Sequence, residues 1–268
     1  MDFSVLMSVY MKEKPQYLKQ AIDSVLNSSL QPTEILIIED GKLTKELYDV
    51  LESYPVLRRI KFSKNMGLGK ALDIGVEEAK TNLIARMDTD DICKTDRFEL
   101  QIEKFVKNKD LVLVGSDIAE FDQDYTKINQ IKKMPEYGRD IMKYAELRNP
   151  FNHPTVMFRK DAIQKVGSYK AMPYFEDYYL WLRIIKRYPE KSYENISEPL
   201  VLMRTDENLY KRRGGLKYIK HIIYFRKTCV KENLLNVHKA IYSSVASVVV
   251  SIFPNNLRKK IYVRILRK

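Results

Sequence analysis

Short apolar runs alternate with helical repeats from Phe3 to Ile118, and this alternation limits the fold more than any other feature. Five apolar runs predict buried strands: Phe3 to Tyr10, Glu34 to Ile38, Leu57 to Phe62, Leu83 to Met87 and Leu111 to Ile118. Apolar residues recur at helical spacing between them, in Pro15 to Asn27, Leu43 to Ser53, Leu68 to Ala79 and Asp96 to Asn108. The alternation predicts an α/β fold with a mostly parallel sheet flanked by helices.

The pattern is less regular after Ile118. It predicts helices over Asp140 to Leu147 and Phe175 to Tyr188, turns and short strands over Phe121 to Lys133, and short strands over Thr155 to Arg159 and Leu200 to Arg204. Only helical patterns follow Leu209: Tyr218 to Glu232, Lys239 to Phe253, and Asn255 to the end. We therefore expect a main domain over residues 1–209 and a helical region over residues 210–268.

The chain is basic, with a formal net charge of +12, and the positive charge belongs to its last part. From Lys211 onward there is one acidic residue, Glu232, and the net charge of this segment alone exceeds that of the whole chain. Such charge favours an anionic partner. A nucleic acid is disfavoured, because the tail has no RNA-recognition or helix-turn-helix signature and the preceding residues are slightly acidic.

The last two helical segments suggest a membrane surface as that partner. Ala240 to Phe253 is apolar but shorter than the roughly 20 residues that a membrane span needs. Asn255 to Lys268 alternates aliphatic residues with Lys and Arg, which is typical of a helix that lies on anionic lipid. The alternative is a solvated helical cap without membrane contact.

Cysteine usage and the first residues favour a cytoplasmic protein, and the basic tail would place it on the inner face of the plasma membrane. Cys93 and Cys229 lie far apart and show no zinc-ligand spacing. The start, Met1 to Ser4, has no basic stretch followed by a long apolar run, so we expect no signal peptide.

An acidic cluster, Asp88-Thr89-Asp90-Asp91, follows the fourth predicted strand. Carboxylates so close together repel one another unless a cation binds. Their hard oxygen ligands favour Mg²⁺ or Mn²⁺, especially together with phosphate oxygens. The alternative is a turn that caps the helix beginning near Asp96.

Other polar residues follow the predicted strand ends, where ligands bind in open α/β sheets. Asp40 could accept a hydrogen bond from a base or ribose, or belong to a turn before Gly41. Tyr10 could stack on a base or be an ordinary edge aromatic. The stretch from Asn65 to Ala71 resembles a phosphate-binding loop at a helix start, yet it matches neither the Walker nor the dinucleotide pattern and could be a plain turn.

Two further candidates have equally ordinary alternatives. Glu176 and Asp177 begin a predicted helix, where acidic residues are common because the helix dipole favours them. As a general base, one of them would have to face a pocket. His153 is one of three histidines, and a single histidine is more often structural than a ligand.

Seven motifs in this order resemble family 2 glycosyltransferases of the GT-A fold, and most of all the bacterial exopolysaccharide and capsule enzymes of the amylovoran-biosynthesis type. The motifs are Ser4 to Tyr10 with Lys12 and Glu13, Glu34 to Gly41, Asn65 to Leu72, Ala85 to Ile92, His153 to Arg159, Val166 to Tyr169, and Phe175 to Arg183. Three departures are Ser8-Val9, where many relatives carry Pro-Thr, Glu39, where many carry Asp, and Asp73, where many carry Asn.

The resemblance implies a role for each matching residue. Tyr10 and Asp40 would hold the nucleotide base. Asp88 would contact the ribose or the metal, and Asp90 would bind the Mn²⁺ or Mg²⁺ that bridges the diphosphate. Asp177 would be the catalytic base, with Glu176 beside it shaping the acceptor site. The remaining residues expected at the nucleotide are Ser8, Val9, Glu13, Asn65, Lys70 and Thr89.

The implied activity is inverting transfer of a hexose or N-acetylhexosamine from a nucleotide sugar, most simply a UDP sugar, to a saccharide acceptor on a lipid diphosphate. Two alternatives stay open. One is a family member that binds the nucleotide sugar without transferring it. The other is a nucleotidyltransferase, although that class carries a glycine-rich loop after the first strand, where this chain has Tyr10 to Glu13.

Overall fold

A computed structural model describes residues 1–205, 213–254, 257–258 and 261. The first part of the chain forms four parallel strands joined by three helices, as the sequence predicts. In chain order these elements are β1 (Phe3–Val9), α1 (Pro15–Leu26), β2 (Glu34–Glu39), α2 (Lys45–Glu52), β3 (Leu57–Lys61), α3 (Leu68–Glu78) and β4 (Leu83–Arg86).

The next part adds five strands and four helices. They are β5 (Ile92–Cys93), α4 (Arg97–Lys107), β6 (Leu113–Phe121), β7 (Gln130–Lys132), α5 (Gly138–Ala145), β8 (Met157–Arg159), α6 (Lys160–Lys165), α7 (Glu176–Arg187) and β9 (Tyr193–Arg204). Short 3-10 turns cover His153–Thr155 and Glu190–Ser192.

The strands form one sheet in the order β3-β2-β1-β4-β8-β6-β9-β5, with β7 paired to β6. Strands β1 to β4 pair in parallel, β8 runs antiparallel between β4 and β6, and β9 is parallel to β6. Six strands therefore point the same way, and the expected mostly parallel α/β sheet is confirmed. Their carboxyl ends meet at one edge, which is where ligands bind in such sheets.

Side chains alternate across the sheet and build an apolar core on each face. Val5 and Met7 of β1 pack with α1 and α4, whereas Leu6 packs with α3 and α7. All six residues of β2 are buried, as both faces of a parallel sheet require.

Three elements differ from the sequence prediction. Strand β5 and helix α6 were not predicted, because two and six residues are too few to show a periodicity. Strand β9 begins at Tyr193 and not at Leu200. Its first part pairs with β6, and the buried Asn195 amide nitrogen donates to the carbonyl oxygens of Pro135 (2.8 Å) and Pro150 (3.1 Å), which lie outside the sheet.

Two C-terminal helices, α8 (Gly215–Lys231) and α9 (Val237–Ile252), follow. Phe225 and Cys229 of α8 pack against Tyr178 and Leu182 of α7. Across the described residues, none of the helices is long and apolar enough to cross a membrane. The domain boundary expected at residue 209, and most of the amphipathic helix expected after Asn255, lie outside the described residues.

Candidate functional site

Asp40 follows β2 and fastens the glycine-rich loop to the sheet edge. Its buried carboxylate accepts hydrogen bonds from the backbone N–H of Met66 (2.6 Å) and Gly67 (3.0 Å) and from Asn65 Nδ2 (2.9 Å). Gly41 lets this loop come close, because it has a φ of +91° and a Cβ there would lie 2.7 Å from Asn65 N. Three hydrogen bonds to the loop show a structural role for Asp40, and base binding stays a prediction.

The turn after β1 is joined to the acidic segment by Glu13 and Thr89. Thr89 Oγ1 donates to Glu13 Oε2 (2.8 Å) and lies 3.5 Å from the carbonyl oxygen of Ser8. Burial raises the pKa of Glu13, with Asp88 adding to the effect. Tyr10 is 38% exposed at this edge, whereas the side chain of Val9 is buried in the core, so only the Val9 backbone could face a ligand.

The acidic cluster lies immediately after β4. Carboxylate oxygens of Asp88, Asp90 and Asp91 lie within 4.8 Å of one another, and this is the one such group of three metal-ligand side chains among the described residues. Burial, followed by the charges of Asp88 and Glu13, raises the pKa of Asp90 to about 7. Asp91 is buried, and its Oδ2 has no hydrogen-bond partner in the described part of the chain.

These observations test whether a divalent cation fits. A buried carboxylate oxygen without a partner costs free energy, and clustered carboxylates raise one another's pKa. A cation of the Mg²⁺ or Mn²⁺ type, with its preference for oxygen ligands, would remove both costs. The residues present therefore fit the group.

Arg204, at the end of β9, holds this segment in place. Its backbone N–H donates to Asp91 Oδ1 (2.8 Å) and its Nε donates to the carbonyl oxygen of Asp90 (3.0 Å). The guanidinium also stacks 3.8 Å from the ring centre of Tyr17 and donates to Gln20 Oε1 (2.8 Å). This role left no local signal in the sequence, because 113 residues separate Arg204 from Asp91.

Arg86 is the second functional residue that sequence reasoning did not assign. It ends β4 and is 2% exposed, and its Nη2 forms an ion pair with Asp88 Oδ1. Burial alone would lower the pKa of this guanidinium, yet the Asp88 charge raises it above its ordinary value.

Glu176 and Asp177 form a pair of carboxyl groups at the N-terminus of α7. Burial, followed by the Asp177 charge, raises the pKa of Glu176 to about 7. Burial also raises the pKa of Asp177, although hydrogen bonds from Tyr178 N (2.7 Å) and Asn149 Nδ2 (2.6 Å) oppose it. Asn149 gave no signal in the sequence.

His153 packs in an aromatic cluster with Tyr169 and Trp181. Its Nε2 lies 2.9 Å from Tyr169 Oη, and its ring packs edge-on to Trp181 at 6.1 Å. Burial, with the Arg86 charge adding to it, holds the pKa of His153 well below its usual value. His153 does not belong to the cluster of Asp88, Asp90 and Asp91, whose side chains could share a cation.

The start of α3 approaches the start of α7. A Cβ on Gly69 would lie 3.5 Å from Glu176 Cβ and 3.1 Å from the carbonyl oxygen of Lys170. Lys70 Nζ pairs with Asp73 Oδ2 at 2.9 Å. The structure thus places the glycine-rich loop beside the carboxyl pair, while the role of Lys70 at a nucleotide stays a prediction.

The sequence model of glycosyl transferase family 2 matches residues 4–167, and this range includes β1 to β4 and the acidic cluster. The chain belongs to glycosyl transferase family 2. It is a glycosyltransferase of the GT-A fold, as its motifs predict.

The sequences of two relatives align with most of this glycosyltransferase. The UDP-Gal:alpha-D-GlcNAc-diphosphoundecaprenol beta-1,3-galactosyltransferase of Escherichia coli is 36% identical over 99% of this chain and 97% of its own length. The amylovoran biosynthesis glycosyltransferase AmsE of Erwinia amylovora is 40% identical over 81% of this chain and 82% of its own.

Solved structures share the fold at low sequence identity. S. aureus TarS in complex with UDP-GlcNAc aligns with a TM-score of 0.61 and 13% identity over 83% of this chain and 67% of its own. The mannosyltransferase PcManGT of Pyrobaculum calidifontis, in complex with GDP-Man and Mn²⁺, aligns with a TM-score of 0.61 and 12% identity over 97% of this chain and 79% of its own.

Proposed function

We propose that this glycosyltransferase moves a hexose or N-acetylhexosamine from a UDP sugar to a saccharide carried on a lipid diphosphate, with inversion at the anomeric carbon. The observation that carries the proposal is a pair of acidic centres around one buried arginine. Arg86 pairs with Asp88 of the cluster, and its charge offsets part of the rise that burial causes in the pKa of Glu176 and Asp177. The E. coli relative, whose name states a UDP-galactose donor and a diphosphoundecaprenol acceptor, supports the substrate classes.

The donor would be held at the sheet edge. Asp90 and Asp88, with Asp91 behind them, would bind Mn²⁺ or Mg²⁺ and through it the diphosphate. Such a cation neutralises the charge that grows on the departing nucleoside diphosphate. Tyr10 and Asp40 would contact the base. The backbone of Ser8 and Val9 and the side chains of Glu13, Asn65, Lys70 and Thr89 would surround the nucleotide.

Asp177 would act on the acceptor. Its carboxylate takes the proton of the acceptor hydroxyl while that oxygen bonds to the anomeric carbon and the bond to the phosphate oxygen breaks. Attack opposite the leaving group inverts the anomeric configuration in one step. A raised pKa makes Asp177 a stronger base, and Glu176 would border the acceptor.

Two substitutions test the assignment of base and metal ligand. Asp177→Asn is expected to lower kcat by about 10²- to 10⁴-fold and leave calorimetric binding of Mn²⁺ and UDP unchanged. Asp90→Ala is expected to abolish metal-dependent UDP binding. Asp140→Asn is the matched control, because Asp140 is also acidic, lies in the first turn of a helix and is exposed. Wild-type turnover in Asp177→Asn, or equal UDP affinity with and without Mn²⁺ in the wild type, would contradict the assignment.

The same proposal places the C-terminal helices on the cytoplasmic face of an anionic membrane. Helix α9 has no acidic residue, and four of its apolar side chains are 48–69% exposed: Ile241, Val245, Val249 and Ile252. Their spacing of four, four and three residues puts them on one helix face. A lipid-linked acceptor would be reached from this surface.

Liposome sedimentation tests this surface. Ile241→Glu with Val245→Glu is expected to release the protein from vesicles that contain anionic lipid. Val56→Glu with Val106→Glu is the matched control, since these valines are 60% and 50% exposed and lie outside the C-terminal helices. Equal sedimentation of both double variants would rule out the α9 face as the contact.

A further inference from the structure

Arg86 stands between two groups of acidic side chains. Strand alternation turns its side chain to the sheet face that α7 covers, since Ile84, two residues earlier, packs in that core. On one side Arg86 pairs with Asp88, and on the other its charge offsets part of the rise that burial causes in the pKa of Glu176 and Asp177.

The hydrogen bonding of Arg86 is incomplete. Its Nη2 is bonded to Asp88, whereas its Nε and Nη1 are buried and have no hydrogen-bond partner in the described part of the chain. Burying a charged group whose N–H donors form no hydrogen bonds costs free energy, unless nearby charges of opposite sign compensate. The contribution of Arg86 therefore lies in its positive charge rather than in a complete set of hydrogen bonds.

We propose that Arg86 is the counter-ion of the acidic cluster: a positioning residue that holds Asp88 and competes with the divalent cation for it. The inference rests on the proposed metal-binding role of the acidic cluster. While the cleft is free, the guanidinium neutralises part of the acidic charge. When the cation binds, two positive centres share Asp88, and their repulsion weakens cation binding.

The consequence is a metal site that is weaker than its carboxylates alone would make it. A divalent cation would then bind well only together with the nucleoside diphosphate, whose phosphate oxygens add negative charge. Loss of the Arg86 charge should therefore strengthen cation binding to the nucleotide-free enzyme, whereas loss of an ordinary structural residue would weaken it.

The test is a titration of the full chain with Mn²⁺, without nucleotide, in which the free ion is followed by electron paramagnetic resonance. Arg86→Met is expected to lower the Kd for Mn²⁺ at least tenfold, or about 1.4 kcal/mol. Arg86→Lys keeps the charge and should stay within about threefold of the wild type. Arg86→Gln is a second neutral variant and should behave like Arg86→Met, which covers the case in which one of them does not fold.

The outcomes separate this inference from the proposed function. An unchanged or higher Kd in a folded neutral variant overturns the counter-ion role of Arg86. Two other outcomes would instead contradict the metal site itself. In one, the wild type and the neutral variants all lack saturable Mn²⁺ binding; in the other, Asp90→Asn leaves Mn²⁺ binding unchanged. Thermal unfolding without metal identifies the folded variants.

Discussion

The hydrogen bond from Asn149 to Asp177 allows a quantitative test of the proposal that Asp177 is the catalytic base. Asn149 Nδ2 donates to Asp177 Oδ2 at 2.6 Å, which stabilises the ionised carboxylate. A hydrogen bond to a charged group contributes about 1.5 to 3 kcal/mol, and 1.36 kcal/mol corresponds to one pKa unit. Asn149→Ala should therefore move the acid limb of the kcat–pH profile upward by about one to two pH units.

The direction of this pH shift follows from the role of Asp177 as a base. Without the donor, the pKa of Asp177 rises, and a protonated carboxyl group cannot accept the proton of the acceptor. Activity is then lost at low pH and recovers as pH rises. The assay is nucleoside diphosphate release at saturating donor and acceptor from pH 5 to 9. The ratio of wild-type to variant kcat should be large at pH 6 and approach one at pH 9.

A second substitution makes the test sharper. Asn149→Asp keeps the side-chain oxygen that accepts from the backbone N–H of Phe151 (3.4 Å), but it replaces the donor with a like charge. The acid limb of its kcat–pH profile should lie at higher pH than that of Asn149→Ala. A rate ratio that stays constant at every pH in both variants would refute the reasoning, because Asn149 would then act only by holding the backbone near Phe151.

Three further predictions concern stability, each measured by urea unfolding. Gly41→Ala and Gly67→Ala both place Ala at positive φ, +91° and +84°, but only the first drives its Cβ into backbone, so Gly67→Ala should cost about 1 kcal/mol and Gly41→Ala clearly more. Arg204→Met removes hydrogen bonds to Gln20 Oε1 and to backbone oxygens and should cost about 3 kcal/mol. Burial raises the pKa of Glu176 from 4.5 to about 7, so this carboxyl group should cost the metal-free protein up to about 3 kcal/mol of stability as pH rises from 4.5 to 7. Glu176→Gln should make the fall in stability shallower by that amount and leave the part that comes from Asp90, whose pKa is also raised to about 7.

The central sheet was predictable because its strands are buried on both faces. The run from Glu34 to Ile38 has no polar alternation, and the strand it forms is buried throughout. Strand β8 was expected from Thr155 but begins at Met157, after a 3-10 turn. Its antiparallel insertion between β4 and β6 depends on contacts between distant segments, so local periodicity could not predict it.

The candidate site was predictable where residues follow strand ends. Asp88 and Asp90 lie at the expected edge because β4 ends just before them. The hydrogen-bond partners of the site residues were not predictable. The carboxylate of Asp40 turns to the backbone of Gly67, and Arg204 reaches the acidic cluster from the last strand of the sheet. Such partners depend on tertiary packing and leave no repeat in the sequence.

Without a cation, the acidic cleft is electrostatically unfavourable, so we expect ligand binding and stability to be linked. Asp91 keeps a buried oxygen without a partner, and the pKa values of Asp90 and Glu176 are raised to about 7. Each of these costs is smaller once a cation neutralises the cluster, because the cation favours the ionised carboxylates. Binding of cation and nucleotide should therefore stabilise the whole domain, and Arg86 supplies part of that neutralisation while the cleft is empty. If Arg86 is the counter-ion that we propose, the same arginine limits both the instability of the metal-free enzyme and its affinity for the cation.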